Sequence, residues 1–65
     1  MMVFKCRSDT KSIDGYRFTR GSVWRVLVDP GPGDNMAVLS RAEGQTVRQE
    51  IISRDKLRKC FRRIV

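Results

Sequence analysis

The segment from Ser22 to Val28 constrains the fold most, because its side chains alternate in a pattern with a period of two. One face of this predicted strand carries Trp24, Val26 and Val28, and the other carries Val23, Arg25 and Leu27. Gly21 precedes the strand, and the segment 29–35, with two prolines and two glycines, follows it. Proline cannot donate to a strand ladder, so we expect segment 29–35 to be an exposed, turn-rich loop. The alternation favours a buried Trp24 over one that stacks on a ligand.

Three other segments are predicted to be strands, because β-branched, aromatic and other apolar residues recur in them. They are Met2–Cys6, Met36–Arg41 and Gln45–Ile52, and Ala42–Gly44 is a suitable hairpin connection between the last two. In the last of these strands we expect Val47 and Ile51 to face the core. We expect Arg48 and Glu50 to face solvent.

The C-terminal segment is predicted to begin as a short helix. Ser53 is a favourable N-cap residue for it. Leu57, Cys60 and Phe61 follow at the i, i+3 and i+4 positions, which gives the helix one apolar stripe. Residues 64–65 are expected to add a last short strand.

These elements predict a mainly β fold, with one domain over residues 1–65. It is expected to be a small SH3-like barrel of four to five strands with a short helical turn near the C-terminus. Ser8–Arg20 is expected to form one long loop, with Tyr16 and Phe18 folded back onto the barrel. An OB-like barrel is the alternative, but its five strands and helix usually need a longer chain. A chain of 65 residues lies near the lower size at which one core suffices, so stability should be marginal.

The stretch from Phe18 to Val26 resembles a pattern in small, mostly uncharacterised phage and prophage proteins. Those proteins carry an N-terminal strand with a cysteine, then F-T-x-G-x-x-[YW]-x-V, a meander and a late L-x-x-x-F segment. In this chain the late segment is Leu57–Phe61. The resemblance covers most of the chain and implies an SH3-like fold and a phage or prophage origin. Those proteins are commonly acidic in the last two strands and the tail, whereas this tail is basic, so their function does not transfer.

The net charge is +7, from fourteen Lys and Arg against seven Asp and Glu, and most of the cations are Arg. Such a balance suits a polyanion, and the planar guanidinium fork suits phosphate. Residues 54–65 hold six basic residues and one acidic residue, and so contribute +5 of the total. On a helix, Arg54 would repel Arg58, and Arg58 would repel Arg62, because like charges four residues apart are unfavourable. A basic stripe of this kind is typical of a surface that contacts phosphates.

Two functions are compatible with this charge. The first is a nucleic-acid-binding module that contacts backbone phosphates with low sequence specificity. Its predicted binding residues are Arg54, Lys56, Arg58, Lys59, Arg62 and Arg63, extended across the sheet by Arg20, Arg25, Arg41 and Arg48. The second is a protein-interaction module that docks on an acidic face of a host protein and alters its activity. DNA, RNA and protein all stay open as the ligand.

Enzymatic activity is not expected, because the chain has no His, its acidic residues are scattered, and it carries no nucleophile-elbow or phosphate-loop motif. Cys6 and Cys60 form no Cys-x-x-Cys pair, so neither a metal nor a cofactor is expected. We expect both thiols to be reduced in the cytoplasm.

No apolar run of about 18 residues is present, so no membrane span is predicted. The chain also leaves no room for a deep small-molecule substrate cavity.

Overall fold

Strands account for most of residues 2–28 and 35–65, which are the part of the chain that a computed structural model describes. The elements in chain order are β1 (Met2–Cys6), β2 (Thr10–Lys11), β3 (Arg17–Phe18), β4 (Val23–Val28), β5 (Met36–Glu43), β6 (Thr46–Ser53), α1 (Arg54–Cys60) and β7 (Phe61–Arg63). Five strands form one antiparallel sheet in the order β6-β5-β4-β1-β7, and β2 pairs with β3. The predicted fold class is therefore confirmed: the described residues are mainly β, with a five-stranded antiparallel sheet and one short helix near the C-terminus. Most of the predicted loop 29–35 lies outside the described residues.

Strand β1 joins the two ends of the chain in one sheet. Phe4 pairs with Trp24 of β4 on one side and with Arg63 of β7 on the other. Cys6 pairs with Phe61 in the same ladder. Backbone bonds continue beyond β7, since the Ile64 N–H donates to the Val3 carbonyl at 2.8 Å. The last strand therefore begins earlier than the predicted residues 64–65.

The core is built round interlocking aromatic rings. Phe18 lies edge-to-face against Trp24, with ring centroids 5.0 Å apart, and against Phe61 at 5.4 Å. Tyr16 packs against the first two rings in the same manner. Such geometry adds to the stability that apolar burial supplies. The buried apolar residues are Cys6, Phe18, Trp24, Val26, Ala37, Leu39, Ile52, Leu57 and Phe61.

The predicted long loop Ser8–Arg20 is wrong in one respect, because it contains the β2–β3 hairpin. Ser12 organises the turn between the two strands, since its hydroxyl accepts the backbone N–H groups of Asp14 and Tyr16. Local side-chain bonds of this kind compete with regular structure and stabilise turns. The prediction that Tyr16 and Phe18 fold back onto the sheet is confirmed, since both pack in the core cluster.

The predicted facing of β6 is also wrong. Val47 is 63% exposed, whereas Ile52 is fully buried. The register explains this, because Arg48 lies opposite Arg41 and Ile52 lies opposite the buried Ala37. A two-residue turn at Gly44 and Gln45 sets the register, and Gly44 has the positive φ that such a turn needs. The charged residues of β6 therefore share the face of the core.

The predicted N-cap of the helix is confirmed, since the Ser53 hydroxyl accepts the Lys56 N–H at 3.3 Å. The helix ends at Cys60, because Phe61 is extended and begins β7. Phe61 is therefore buried as a strand residue rather than as part of a helical stripe. Arg62 does not lie on the helix either, so the expected helical repulsion between Arg58 and Arg62 is wrong.

We predict that Trp24→Ala lowers the free energy of unfolding by about 3–5 kcal/mol, the cost of removing a large aromatic side chain from a core. Trp24 is 1% exposed, and its indole N–H donates to the Ser22 hydroxyl at 2.9 Å. Urea denaturation followed by circular dichroism measures the loss. Val47→Ala is the control, because an exposed site should change by less than about 0.5 kcal/mol.

A Trp24→Ala protein as stable as the wild type would contradict the core assignment. Should the Ala variant not fold, Trp24→Phe retains a ring but loses the bond to Ser22. It should still unfold at lower urea than the wild type.

Candidate anion-binding pocket

A depression of about 630 Å³ lies between β1, β7 and the turn that precedes β4. We call it the basic pocket, and its lining residues are Lys5, Cys6, Arg7, Arg20, Gly21 and Arg62. Four of these six residues are cationic and none is acidic. The charged residues that line the depression are therefore all positive, and concave surfaces lined by one sign of charge concentrate counter-ions.

Two of the pocket cations come from the pairing of β1 with β7. Lys5 lies directly opposite Arg62 in the antiparallel ladder, so both side chains point to the same face of the sheet. Like charges directly opposite each other destabilise a strand pair. The buried Cys6 lies between Lys5 and Arg7, and alternation sends the two cations to the face away from the core.

Backbone bonds hold the other two cations beside this pair. The Gly21 N–H donates to the Cys6 carbonyl at 2.8 Å, and Gly21 has a φ of 92°, which favours glycine. The Arg20 N–H donates to the Asp9 carboxylate at 2.8 Å, so this acid is adjacent to the pocket but does not line it. The Arg7 N–H donates to the Cys60 carbonyl at 2.7 Å, which joins the pocket to the end of α1.

The charges of the four pocket cations are not balanced by ion pairs. Within residues 2–28 and 35–65, none of the four forms a salt bridge with a carboxylate. The salt bridges found there involve Arg41 and Arg48, which pair with Glu43 and Glu50 at 2.9–3.0 Å. Positive charge is thus neutralised by carboxylates on β5 and β6, whereas the cations of the basic pocket have no such partners among the described residues.

Arg41 and Arg48 cover the aromatic core instead of facing a ligand. The Arg41 guanidinium lies 4.5 Å from the centroid of the Trp24 ring, and that of Arg48 lies 4.6 Å from the Tyr16 ring. Hydrogen bonds donated by Arg48, and then by Arg41, hold the pKa of Glu43 below its ordinary value. The same contact with Glu43 raises the pKa of Arg48. Cation–π contacts and ion pairs therefore give these two predicted binding residues a structural role.

The remaining predicted cations are divided between separate surfaces. Arg54, Lys56, Arg58 and Lys59 lie on α1, where Arg58 lines a shallow depression with Asp55. Arg63 lies opposite Phe4 and donates from Nε to the Val65 carbonyl at 3.0 Å, so it lies on the other face of β7 from Arg62. Arg25 lies exposed on the outer face of β4, opposite Val3 and Ser40.

Of the predicted binding residues, Arg20 and Arg62 are brought together in the basic pocket. Lys5 and Arg7 also line the pocket, and neither was among the binding residues predicted from the sequence. The sequence signal for them is a cation on each side of Cys6, at the end of an N-terminal strand that pairs with the C-terminal segment. Lys59 precedes Cys60 in the chain, and the Cys60 carbonyl accepts the Arg7 N–H. Lys56 lies one turn earlier on α1.

Other kinds of site find no support in the described residues. No group of three His, Cys, Asp or Glu residues is arranged there to hold a metal ion. No helix in these segments is long and apolar enough to cross a membrane. Cys6 and Cys60 are free thiols, and burial raises the pKa of Cys6.

The chain matches no protein-family model, no curated protein and no solved structure. The resemblance to phage SH3-like proteins therefore rests on the motif residues alone.

We predict that Glu43→Gln lowers the thermal unfolding midpoint at pH 7, because Arg41 and Arg48 then lie opposite each other without their shared carboxylate. The folded pKa of Glu43 is depressed, so its stabilising contribution is present above the unfolded value of 4.5 and is lost as the pH falls through the folded pKa. The difference between wild type and variant should shrink at acid pH. Asp14→Asn, an exposed control, should leave the midpoint unchanged at both pH values. Equal midpoints for Glu43→Gln and wild type at pH 7 would contradict the role of the network.

Proposed function

We propose that the protein is a small nucleic-acid-binding module that holds phosphate groups at the basic pocket and reads no base sequence. One observation carries the proposal: four cations from separate segments line one depression, and none forms an ion pair within the described residues. Phosphates are the anions that every nucleic acid presents at regular spacing. Neutralising them releases counter-ions, which drives sequence-independent binding.

The burial of the large aromatic residues supports binding led by phosphate. Trp24 and Phe18 are fully buried, so neither ring is available to stack on a base. Lys56 and Lys59 are exposed on α1, and its last residue, Cys60, is bonded to Arg7 of the pocket. We propose that these two lysines contact phosphates next to the one that the pocket holds.

A binding role fits the pocket better than a catalytic one. Apart from the cations, the pocket is lined by Gly21 and Cys6. Cys6 is buried, and its raised pKa keeps the thiol protonated near neutral pH. Among the described residues, the pocket lining thus contains neither an activated nucleophile nor a general base. The motif in Phe18–Val26 supports a phage or prophage origin, and we propose that the module acts in the cytoplasm.

A second candidate function is docking on an acidic face of a host protein. The outer face of the sheet exposes several apolar side chains: Val23 is 45% exposed, Leu27 is 50% exposed and Val47 is 63% exposed. Val23 and Val47 line one shallow groove together with Arg25. Exposed apolar surface marks interaction sites, and Arg25 favours a partner that carries carboxylates.

The first candidate predicts salt-dependent binding to a mixed-sequence duplex. Three to five phosphate contacts give a slope of log K against log salt of roughly −3 to −4.5. The double variant Lys5→Gln/Arg62→Gln should flatten the slope by about two units, because two contacts are lost. Fluorescence anisotropy over a salt series measures the slope.

The matched control for that experiment is Lys11→Gln/Arg17→Gln. This pair also lies opposite across two strands, but it borders a depression that includes Asp9. The control removes the same charge and should flatten the slope by less than about one unit. Equal effects of the two double variants, or no binding of the wild type at low salt, would contradict the proposal.

The second candidate predicts that Val47→Asp abolishes capture of a protein partner from nuclease-treated lysate while oligonucleotide binding persists. A carboxylate at this exposed site repels an acidic partner and lies away from the basic pocket. Val65→Asp, at a similarly exposed apolar position, is the control for added charge. Unchanged capture by Val47→Asp would rule out the outer face as the docking surface.

A further inference from the structure

We infer that the basic pocket selects a phosphomonoester, so that the module binds the phosphorylated end of a nucleic-acid strand in preference to internal phosphodiesters. This inference rests on the proposed function and specifies the part of the nucleic acid that the pocket holds, which is a phosphorylated strand end.

The shape of the pocket favours a strand end. Its volume of about 630 Å³ lies in the range of sites for small ligands, which can hold a nucleotide. An internal phosphodiester continues into chain on both sides, so two flanking segments must be accommodated at the rim of the depression. A terminal phosphate enters from one side and leaves the rest of the strand outside.

The concentration of charge also favours a strand end. The four cations surround one depression, whereas a surface that follows a backbone spreads its cations along a line. A phosphomonoester carries about −1.5 to −2 at pH 7, against −1 for a diester, and Coulomb attraction scales with that charge. It also presents three acceptor oxygens, whereas a diester presents two unesterified ones.

The pairing of Lys5 with Arg62 gives a third reason. These two cations face each other across β1 and β7, and among the described residues no carboxylate lines the pocket between them. Asp9 lines the depression beside the comparable pair of Lys11 and Arg17, whereas at the basic pocket it lies outside the lining and accepts the Arg20 N–H. A dianion between Lys5 and Arg62 therefore relieves more repulsion than a monoanion does.

The test compares three single strands that carry a fluorophore at the 3′ end. The first is a twelve-nucleotide strand with a 5′-phosphate, and the second has the same sequence with a 5′-hydroxyl. The third is a fourteen-nucleotide strand with a 5′-hydroxyl, which carries the same full charge as the first. By anisotropy at pH 7.5, the first strand should bind about tenfold tighter than the third, because only the first offers a dianion.

Two further comparisons test whether the pocket causes the preference. The preference for the 5′-phosphorylated strand should fall to about threefold at pH 5.5, because the second pKa of a phosphomonoester is about 6 and most of the phosphate is then a monoanion. Arg62→Gln should abolish the preference, and Arg17→Gln should preserve it. Circular dichroism should show that both variants retain the wild-type fold.

The outcomes separate this inference from the proposed function. Equal affinity for the first and third strands would overturn the inference and leave phosphate-led binding intact, whereas no binding of any strand would overturn both. In competition, a 5′-mononucleotide should displace the first strand and its nucleoside should not. A phosphoserine peptide that displaces the strand better than the mononucleotide would overturn the inference in favour of a phosphoprotein ligand.

Discussion

The fold depends on the position of β1 between β4 and β7. Because β1 pairs with both strands, the two ends of the chain lie in one sheet, and Phe61 meets Phe18 in the core. The same register places Lys5 opposite Arg62. Closure of the core and assembly of the basic pocket therefore have one physical cause.

Cations are used in two ways in this small domain. On the core face of β5 and β6, Arg41 and Arg48 lie over aromatic rings and share Glu43, so their charge is neutralised within the fold. At the basic pocket, four cations are held by backbone bonds and β-ladder pairing, and no carboxylate of the described residues lines it. A positive charge that folding does not compensate is available to an external anion. This contrast, rather than the net charge alone, supports a polyanion ligand.

Sequence patterns within a few residues predicted most strands and the helix correctly, but they did not predict the strand register or the pairing of β1 with β7. The alternation round Trp24 and the capping residue Ser53 act within a few residues, and both predictions are confirmed. Which side chains of β6 face the core depends on the turn at Gly44, which sets the register of the strand. Charged side chains lie on the core face of β6, so the hydrophobic pattern alone did not predict this register. The basic pocket forms only because β1 pairs with β7. This pairing is a long-range contact, so local sequence patterns could not predict that Lys5 lies beside the cations of the C-terminal tail.

We propose that the uncompensated cations of the basic pocket form the binding surface. Amide chemical-shift mapping with ¹⁵N-labelled protein and a 5′-phosphorylated single strand tests this role. We expect the largest shifts on residues 5–7, 20–22 and 61–63, and no shift at the β5–β6 turn at Gly44. Shifts that centre on Arg41 and Arg48, or that spread evenly over all exposed cations, would contradict it.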